Sequence, residues 1–243
     1  MAEGKVVGLK ALSAFFGGSA LIVIVASIIY LVVFSGPNYC PEIDDMADAN
    51  IQLVGDSLFG SDADGCASVA GFMSLKLELR VTDHAIPGAT VIGEDGIPSQ
   101  YVSGDWEWTI VDGGGNDAMA YCSEGDDEEC DEKLDEIITD DNKGLIPDLI
   151  NKVKDDGSKV LILGYYDVPE GSEFEDLILE IEILNDRYKE YAVVNDDVYF
   201  ISLKDIMSPE GTPDYYSDDL VHPSEEGHKV IGEHIADFIT ANN

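Results

Sequence analysis

Positive charge is scarce in this sequence: Lys and Arg number 13 against 50 Asp and Glu over 243 residues, for a formal net charge of −37. A surface so poor in Lys and Arg cannot neutralise phosphates, which excludes nucleic acid as a partner. It also repels anionic lipid headgroups and acidic polymers. Residues 1–36 hold only Glu3, Lys5 and Lys10, a net +1, so the remainder carries −38. These acids are spread over the whole remainder rather than gathered in a tail. The plain reading is general solvation; the sharper one is adaptation to high salt, where screening shortens mutual repulsion. Metal-binding signatures are absent as well. The four cysteines form no paired CxxC set, so zinc-site spacing is missing. Asp62-Ala63-Asp64-Gly65 begins like a calcium loop, but Gly60 and Gly71 stand where the first and last acidic ligands belong, which excludes an EF-hand. No repeat occurs at solenoid or propeller spacing. The acidic run Ser123–Glu132 could bind a cation loosely, but a solvated loop is the expectation.

Charge is missing altogether from Ala11 to Phe34, and Leu21–Phe34 is almost purely apolar. A helix of that length spans the hydrocarbon layer of a bilayer. Lys5 and Lys10 precede it and the next basic residue is Lys76. The positive-inside rule therefore orients residues 1–10 to the cytoplasm and the rest outside the cell membrane. The rival reading is a cleaved signal peptide, with Val33 and Ser35 as a weak cleavage site. Its apolar region is usually shorter, about 7–15 residues, so a single-pass anchor over 11–34 is the expectation. A linker over 35–49 and an extracytoplasmic domain over 50–243 follow. Cysteines suit an oxidising compartment there. Four allow three pairings; the closeness of Cys122 and Cys130 makes a local bridge the first expectation, with Cys40 and Cys66 as the remainder.

Within the domain, short apolar runs alternate with helical spacings. Strands are expected at Ile51–Val54, Arg80–Ala85, Trp106–Val111, Val160–Leu163 and Val198–Ile201. Helices are expected at Cys66–Leu79, Leu134–Ile138, Ile146–Lys154 and from Phe174 to Tyr188. A last helix is N-capped by Ser224, with Glu225 and Glu226 in its first turn. Alternation of this kind implies an α/β domain around a parallel sheet, with sites at the carboxyl ends of the strands.

Chemistry-bearing residues cluster at those strand ends. Ser57 follows the first strand and precedes a helix, where backbone N–H groups can stabilise an oxyanion. A serine hydroxyl needs an adjacent base, and histidine is as scarce as cysteine: His84, His222, His228 and His234 are all there are. His228 and His234 fall within the last helix as surface or packing residues, and His84 lies in a strand. His222 sits in a loop with Asp219 three residues upstream, close enough for the carboxylate to fix the imidazole tautomer. Asn116 ends the glycine-rich turn Gly113-Gly114-Gly115 and can donate through its side-chain amide. Gly88, after Pro87, offers an open backbone N–H. Trp106, Trp108, Tyr165 and Tyr166 could line a substrate cleft, but aromatics near strands are more often core, and they stay outside the expected site.

In order, Gly55-Asp56-Ser57-Leu58, then Gly88, then Gly114-Gly115-Asn116-Asp117, then Asp219-Leu220-Val221-His222 resembles the four blocks of the SGNH (GDSL-type) hydrolase family, over about residues 50–240. The resemblance implies a three-layer α/β/α flavodoxin-like sheet and a serine esterase. It implies Ser57 as nucleophile, His222 as base and Asp219 as its orienting acid. The oxyanion hole would comprise the Ser57 and Gly88 backbone N–H groups and the Asn116 side chain, with no cofactor or metal. The G-x-S-x-G elbow of the other large esterase class is missing around Ser57. The expected reaction is cleavage of a small-molecule or glycan ester through an acyl-serine. An O-acetyl transferase or deacetylase of envelope glycans would use the same set, and a non-catalytic envelope protein could keep the fold without needing it.

Overall fold

The computed structural model describes residues 41–59, 66–123 and 127–243. The apolar run 11–34, Cys40 and the stretch Asp62–Gly65 lie outside them. Among the described residues no helix is long and apolar enough to cross a membrane.

Five strands form one parallel sheet: β1 (Asp48–Val54), β2 (Arg80–Asp83), β3 (Trp108–Val111), β4 (Lys159–Gly164) and β5 (Val198–Ser202), in the order β2-β1-β3-β4-β5. The helices are α1 (Pro41–Asp44), α2 (Val69–Leu77), α3 (Ile97–Gln100), α4 (Gly115–Cys122), α5 (Asp127–Ile137), α6 (Leu145–Asp155), α7 (Ile178–Val194) and α8 (Glu225–Ala241). All four residues of β3 are buried, as are the last five of β4. This is why the sequence there is continuously apolar rather than alternating: a parallel sheet is covered on both faces.

The covering layers are distinct. Ile51, Leu53, Ile110, Leu161 and Leu163 pack with Val69 and Met73 of α2 and Ile231, Ile235 and Ile239 of α8. Their strand neighbours Val54, Val111, Val160 and Ile162 point the other way, to Ile137 of α5, Ile150 and Val153 of α6 and Leu184 and Tyr188 of α7. The period of two along each strand divides the apolar side chains between two cores, giving helix, sheet and helix layers.

The acidic run Ser123–Glu132, expected as a solvated loop, instead becomes helical at Asp127. Cys130, Leu134 and Ile137 are buried at helical spacing beneath the acids. The acids of the first turn lie at the positive end of the helix dipole. The Cys122–Cys130 disulfide, with its Cα atoms 4.7 Å apart, ties this helix to the end of α4. Cys66 is also disulfide-bonded, while its expected partner Cys40 is outside the described residues.

Strand order reverses between β1 and β3: the chain leaves β1 for β2 on one side, then crosses to β3 on the other. The carboxyl ends of β1 and β3 therefore flank a crevice that no crossover fills, and a ligand site belongs there.

Candidate active site

Ser57 opens a single 3-10 turn, Ser57–Phe59, directly after β1. The turn is cramped. A Cβ on Gly55 would overlap Asp112 Oδ1, so only glycine allows the chain to pass there. Asp56 is buried; its backbone N–H donates to Asp112 Oδ1 (2.9 Å), and its own Oδ1 accepts from the Leu58 N–H (3.0 Å). These two bonds bracket Ser57 and turn its hydroxyl outward.

The residue hydrogen-bonded to the Ser57 hydroxyl, His222, comes from a loop 165 positions further along the chain. His222 Nε2 lies 2.9 Å from Ser57 Oγ, and His222 Nδ1 lies 2.7 Å from Asp219 Oδ2. Asp219 Oδ1 accepts from Ser217 Oγ (2.6 Å), the Val221 N–H (2.9 Å) and the His222 N–H (2.9 Å). Partial burial opposes ionisation of Asp219, but this set of donors outweighs it and holds the carboxyl below the usual carboxylate range. An ionised carboxylate only accepts, so Nδ1 carries the proton and Nε2 is left to accept from Ser57. The Asp219–His222 loop is fastened at several points: Tyr166 OH donates to Val221 O (2.6 Å), the Ser217 N–H donates to His222 O (2.9 Å), and the Ser224 side chain caps α8 through the Gly227 N–H (3.2 Å). Leu220 takes a left-handed φ of 61°, unusual for leucine, and the surrounding bonds hold it there.

Asn116 lies in the first turn of α4, just beyond β3, rather than at the end of a free turn. Gly114 precedes that helix at φ 105°, and a Cβ there would meet the Leu184 side chain at 2.8 Å. Asn116 Nδ2 donates to Ala89 O (3.0 Å) and is engaged by Asp56 Oδ2 at a longer 3.4 Å. The second contact is the longer of the two, and Asn116 also lines the cleft. Asp117 supports this arrangement from behind. Its carboxylate accepts the Val91 N–H (2.7 Å) and the Ile92 N–H (3.0 Å), pinning the segment that begins at Gly88. Burial raises the Asp117 carboxyl while these two donors lower it, with a net rise.

Ser57, Gly88, Asn116 and His222 line one cleft of about 420 Å3. Every sequence-derived site residue except Asp219 faces this cleft, and Asp219 stands behind His222. Of the four aromatics weighed between cleft and core, Tyr165 and Tyr166 line the cleft, whereas Trp108 is core and fully buried. Leu58, Val168, Phe174, Ile178, Ile181 and Val221 make most of the cleft wall apolar, with Asp167 and Glu173 also lining it. The signal for Phe174, Ile178 and Ile181 was their helical spacing, which marks an apolar face without saying whether a core or a cleft covers it.

His228 makes none of these contacts. It is buried, neither ring nitrogen finds a partner among the described residues, and burial, with the His222 charge, pushes it down to about 4. It is a neutral packing residue. Among the described residues no group of three or more His, Cys, Asp or Glu side chains could hold a metal ion.

The model of the GDSL-like lipase/acylhydrolase family matches residues 53–230. The chain belongs to that family. GDSL/SGNH membership makes it an esterase-type hydrolase acting on ester bonds. No curated protein matches it in sequence. Solved structures share its fold. A lipase/acylhydrolase from Enterococcus faecalis has a TM-score of 0.58 at 19% identity, covering 79% of this chain and 95% of that one. Est24, a carbohydrate acetylesterase from Sinorhizobium meliloti, has a TM-score of 0.57 at 16% identity, covering 79% and 99%. An aryl esterase from M. smegmatis has a TM-score of 0.54 at 15% identity, covering 79% and 98%. At such identities the likeness concerns the fold. For this GDSL-type domain, Asn116→Ala is expected to lower kcat by about 10²–10³. Steady-state kinetics would show it, and an unchanged rate would remove Asn116 from the oxyanion hole.

Proposed function

We propose that the protein is an exported, membrane-anchored serine ester hydrolase that cleaves carboxylic esters of apolar acyl groups. The observation that carries this reading is the continuous line Ser57 Oγ–His222–Asp219 on the floor of an apolar cleft. Ser57 attacks the ester carbonyl as His222 Nε2 takes its proton. The oxyanion draws on the N–H groups of Ser57 and Gly88 and on Asn116 Nδ2. His222 returns the proton to the leaving alcohol, and an acyl-serine remains. Water, deprotonated by His222, then attacks the acyl carbonyl; the Ser57 C–O bond breaks and the acid leaves.

Anchoring and export draw their support from the uncharged run Ala11–Phe34, with Lys5 and Lys10 before it, and from a disulfide-bonded domain. A glycan O-deacetylase would use the same residues, and one protein of this fold bears the description carbohydrate acetylesterase. The walls formed by Val168, Phe174, Ile178 and Ile181 favour an apolar acyl chain over a bare acetyl group. The test is a p-nitrophenyl ester series, acetate to octanoate, on cells making the full chain. Expected are rising kcat/KM up to a medium chain, activity that sediments with membranes, and its loss when protease is added to intact cells. Preference for acetate would favour the deacetylase, and activity shielded from protease would contradict export.

A further inference from the structure

Beneath Ser57 lies a second carboxyl group that the reaction above does not use. Asp112, at the end of β3, is 1% exposed. Its Oδ1 accepts the Asp56 N–H, while its Oδ2 is enclosed and meets no donor among the described residues. Across that bond, at 2.9 Å, is Asp56, whose own carboxyl is buried at 4% exposure. Asp56 in turn holds three parts of the site. Oδ1 takes the Leu58 N–H behind Ser57, and Oδ2 takes Tyr165 OH (2.7 Å) and, at 3.4 Å, Asn116 Nδ2. Tyr165 OH accepts the Gly115 N–H (3.0 Å) at the start of α4. One carboxylate thus ties the nucleophile's turn to the helix that carries the oxyanion donor.

Two adjacent buried carboxylates cannot both be ionised without a large penalty. Nor can the bare Oδ2 of Asp112 be satisfied as an anion. With a proton on Asp112, the two carboxyls attract instead of repelling. We propose that Asp112 is a positioning acid: it holds one proton against Asp56, keeps a single negative charge under Ser57, and thereby sets the alkaline limit of the enzyme. Burial is the main cause raising the Asp112 carboxyl well above its ordinary range, with the Asp56 charge adding to it. The titratable groups facing the pair are Asp83 at the end of β2, Asp117 of α4, Tyr165 and Tyr166 after β4, Tyr188 of α7 and His222. The tyrosines are buried and pushed well above their ordinary value, so they stay neutral through the range of interest. Loss of the shared proton at high pH would place a second negative charge below the atoms where the oxyanion develops.

The inference rests on Ser57 as the nucleophile for its kinetic arm only. Asparagine at 112 imitates the protonated acid, with Oδ1 still accepting the Asp56 N–H and Nδ2 donating to Asp56. A folded-state value above the unfolded one means that the stability Asp112 contributes is full at acid pH and is lost as pH rises through the folded value. Thermal melts of the full chain should therefore show Asp112→Asn gaining on the wild type as pH rises from 5 to 9. Asp112→Ala leaves the buried Asp56 N–H unpaired and is expected to lower kcat about tenfold or more with KM little changed. Asp112→Asn should recover most of that loss and lack the alkaline fall that the wild type shows. A melting difference that does not vary with pH overturns the proposal, as does an alkaline fall that is absent from the wild type or persists unchanged in Asp112→Asn. If the hydrolase reading itself fails, no variant turns over ester, yet the melting comparison still decides whether Asp112 holds the proton.

Discussion

Ser57→Ala should abolish ester hydrolysis, with kcat falling on the order of 10⁴–10⁶, while the melting temperature stays within about a degree or two of the wild type, as for surface changes within about 0.5 kcal/mol. The size follows from the acyl-serine route. Without Oγ no covalent intermediate forms, and the remaining donors can only assist direct attack by water. The small structural effect follows from the position. Ser57 is half-buried on the cleft floor, and its turn is held by Asp56, Asp112 and Leu58 backbone and side-chain bonds that alanine leaves intact. Kinetics on a p-nitrophenyl ester, paired with a melt of the same preparation, separates the two effects. A residual rate within tenfold of the wild type would mean that another group attacks the ester.

Asp219→Asn should cost on the order of 10⁴ in kcat with the loop conformation preserved. Asparagine keeps an oxygen to accept from Ser217, Val221 and His222, so the left-handed Leu220 remains supported. What changes is the atom facing His222 Nδ1. An amide donor there forces the tautomer whose proton sits on Nε2, and that nitrogen can no longer accept from Ser57. Asp219→Ala removes the loop bonds too, so it should lose stability as well as rate. The carboxylate side chain is half-exposed, with a relative accessibility of 51%. Added water can therefore partly replace it, and the asparagine variant is the more informative of the two. Equal rates for Asp219→Asn and the wild type would show that the carboxylate does not set the tautomer.

Most of this site was legible in the sequence because its parts are short-range. Asp219 and His222 are three residues apart, Ser57 begins the turn after β1, and Asn116 lies in the first turn of the helix after β3. Order along the chain then joined them. The sheet was equally legible, since strands buried on both faces leave continuous apolar runs such as Val160–Leu163. Long-range contacts were not. Tyr165 and Tyr166 follow an apolar strand and look like core, yet Tyr165 reaches Asp56 and Gly115, and Tyr166 holds the Val221 carbonyl. Asp112 looks like the polar end of a strand, and its importance comes from Gly55, whose missing side chain lets the two loops touch. The first turns of α5 were hidden by charge: acids outnumber the three inward residues, Cys130, Leu134 and Ile137, so local composition argued for a loop while their spacing argued for a helix.

Labelling with a fluorophosphonate tests the catalytic role of Ser57 and His222 most directly, because the reagent reacts only with a serine that has a working base beside it. Peptide mapping of the labelled full chain should find a single adduct, on Ser57, that disappears in His222→Ala. An adduct on a different serine, or labelling of Ser57 that survives the loss of His222, would contradict that pairing of nucleophile and base.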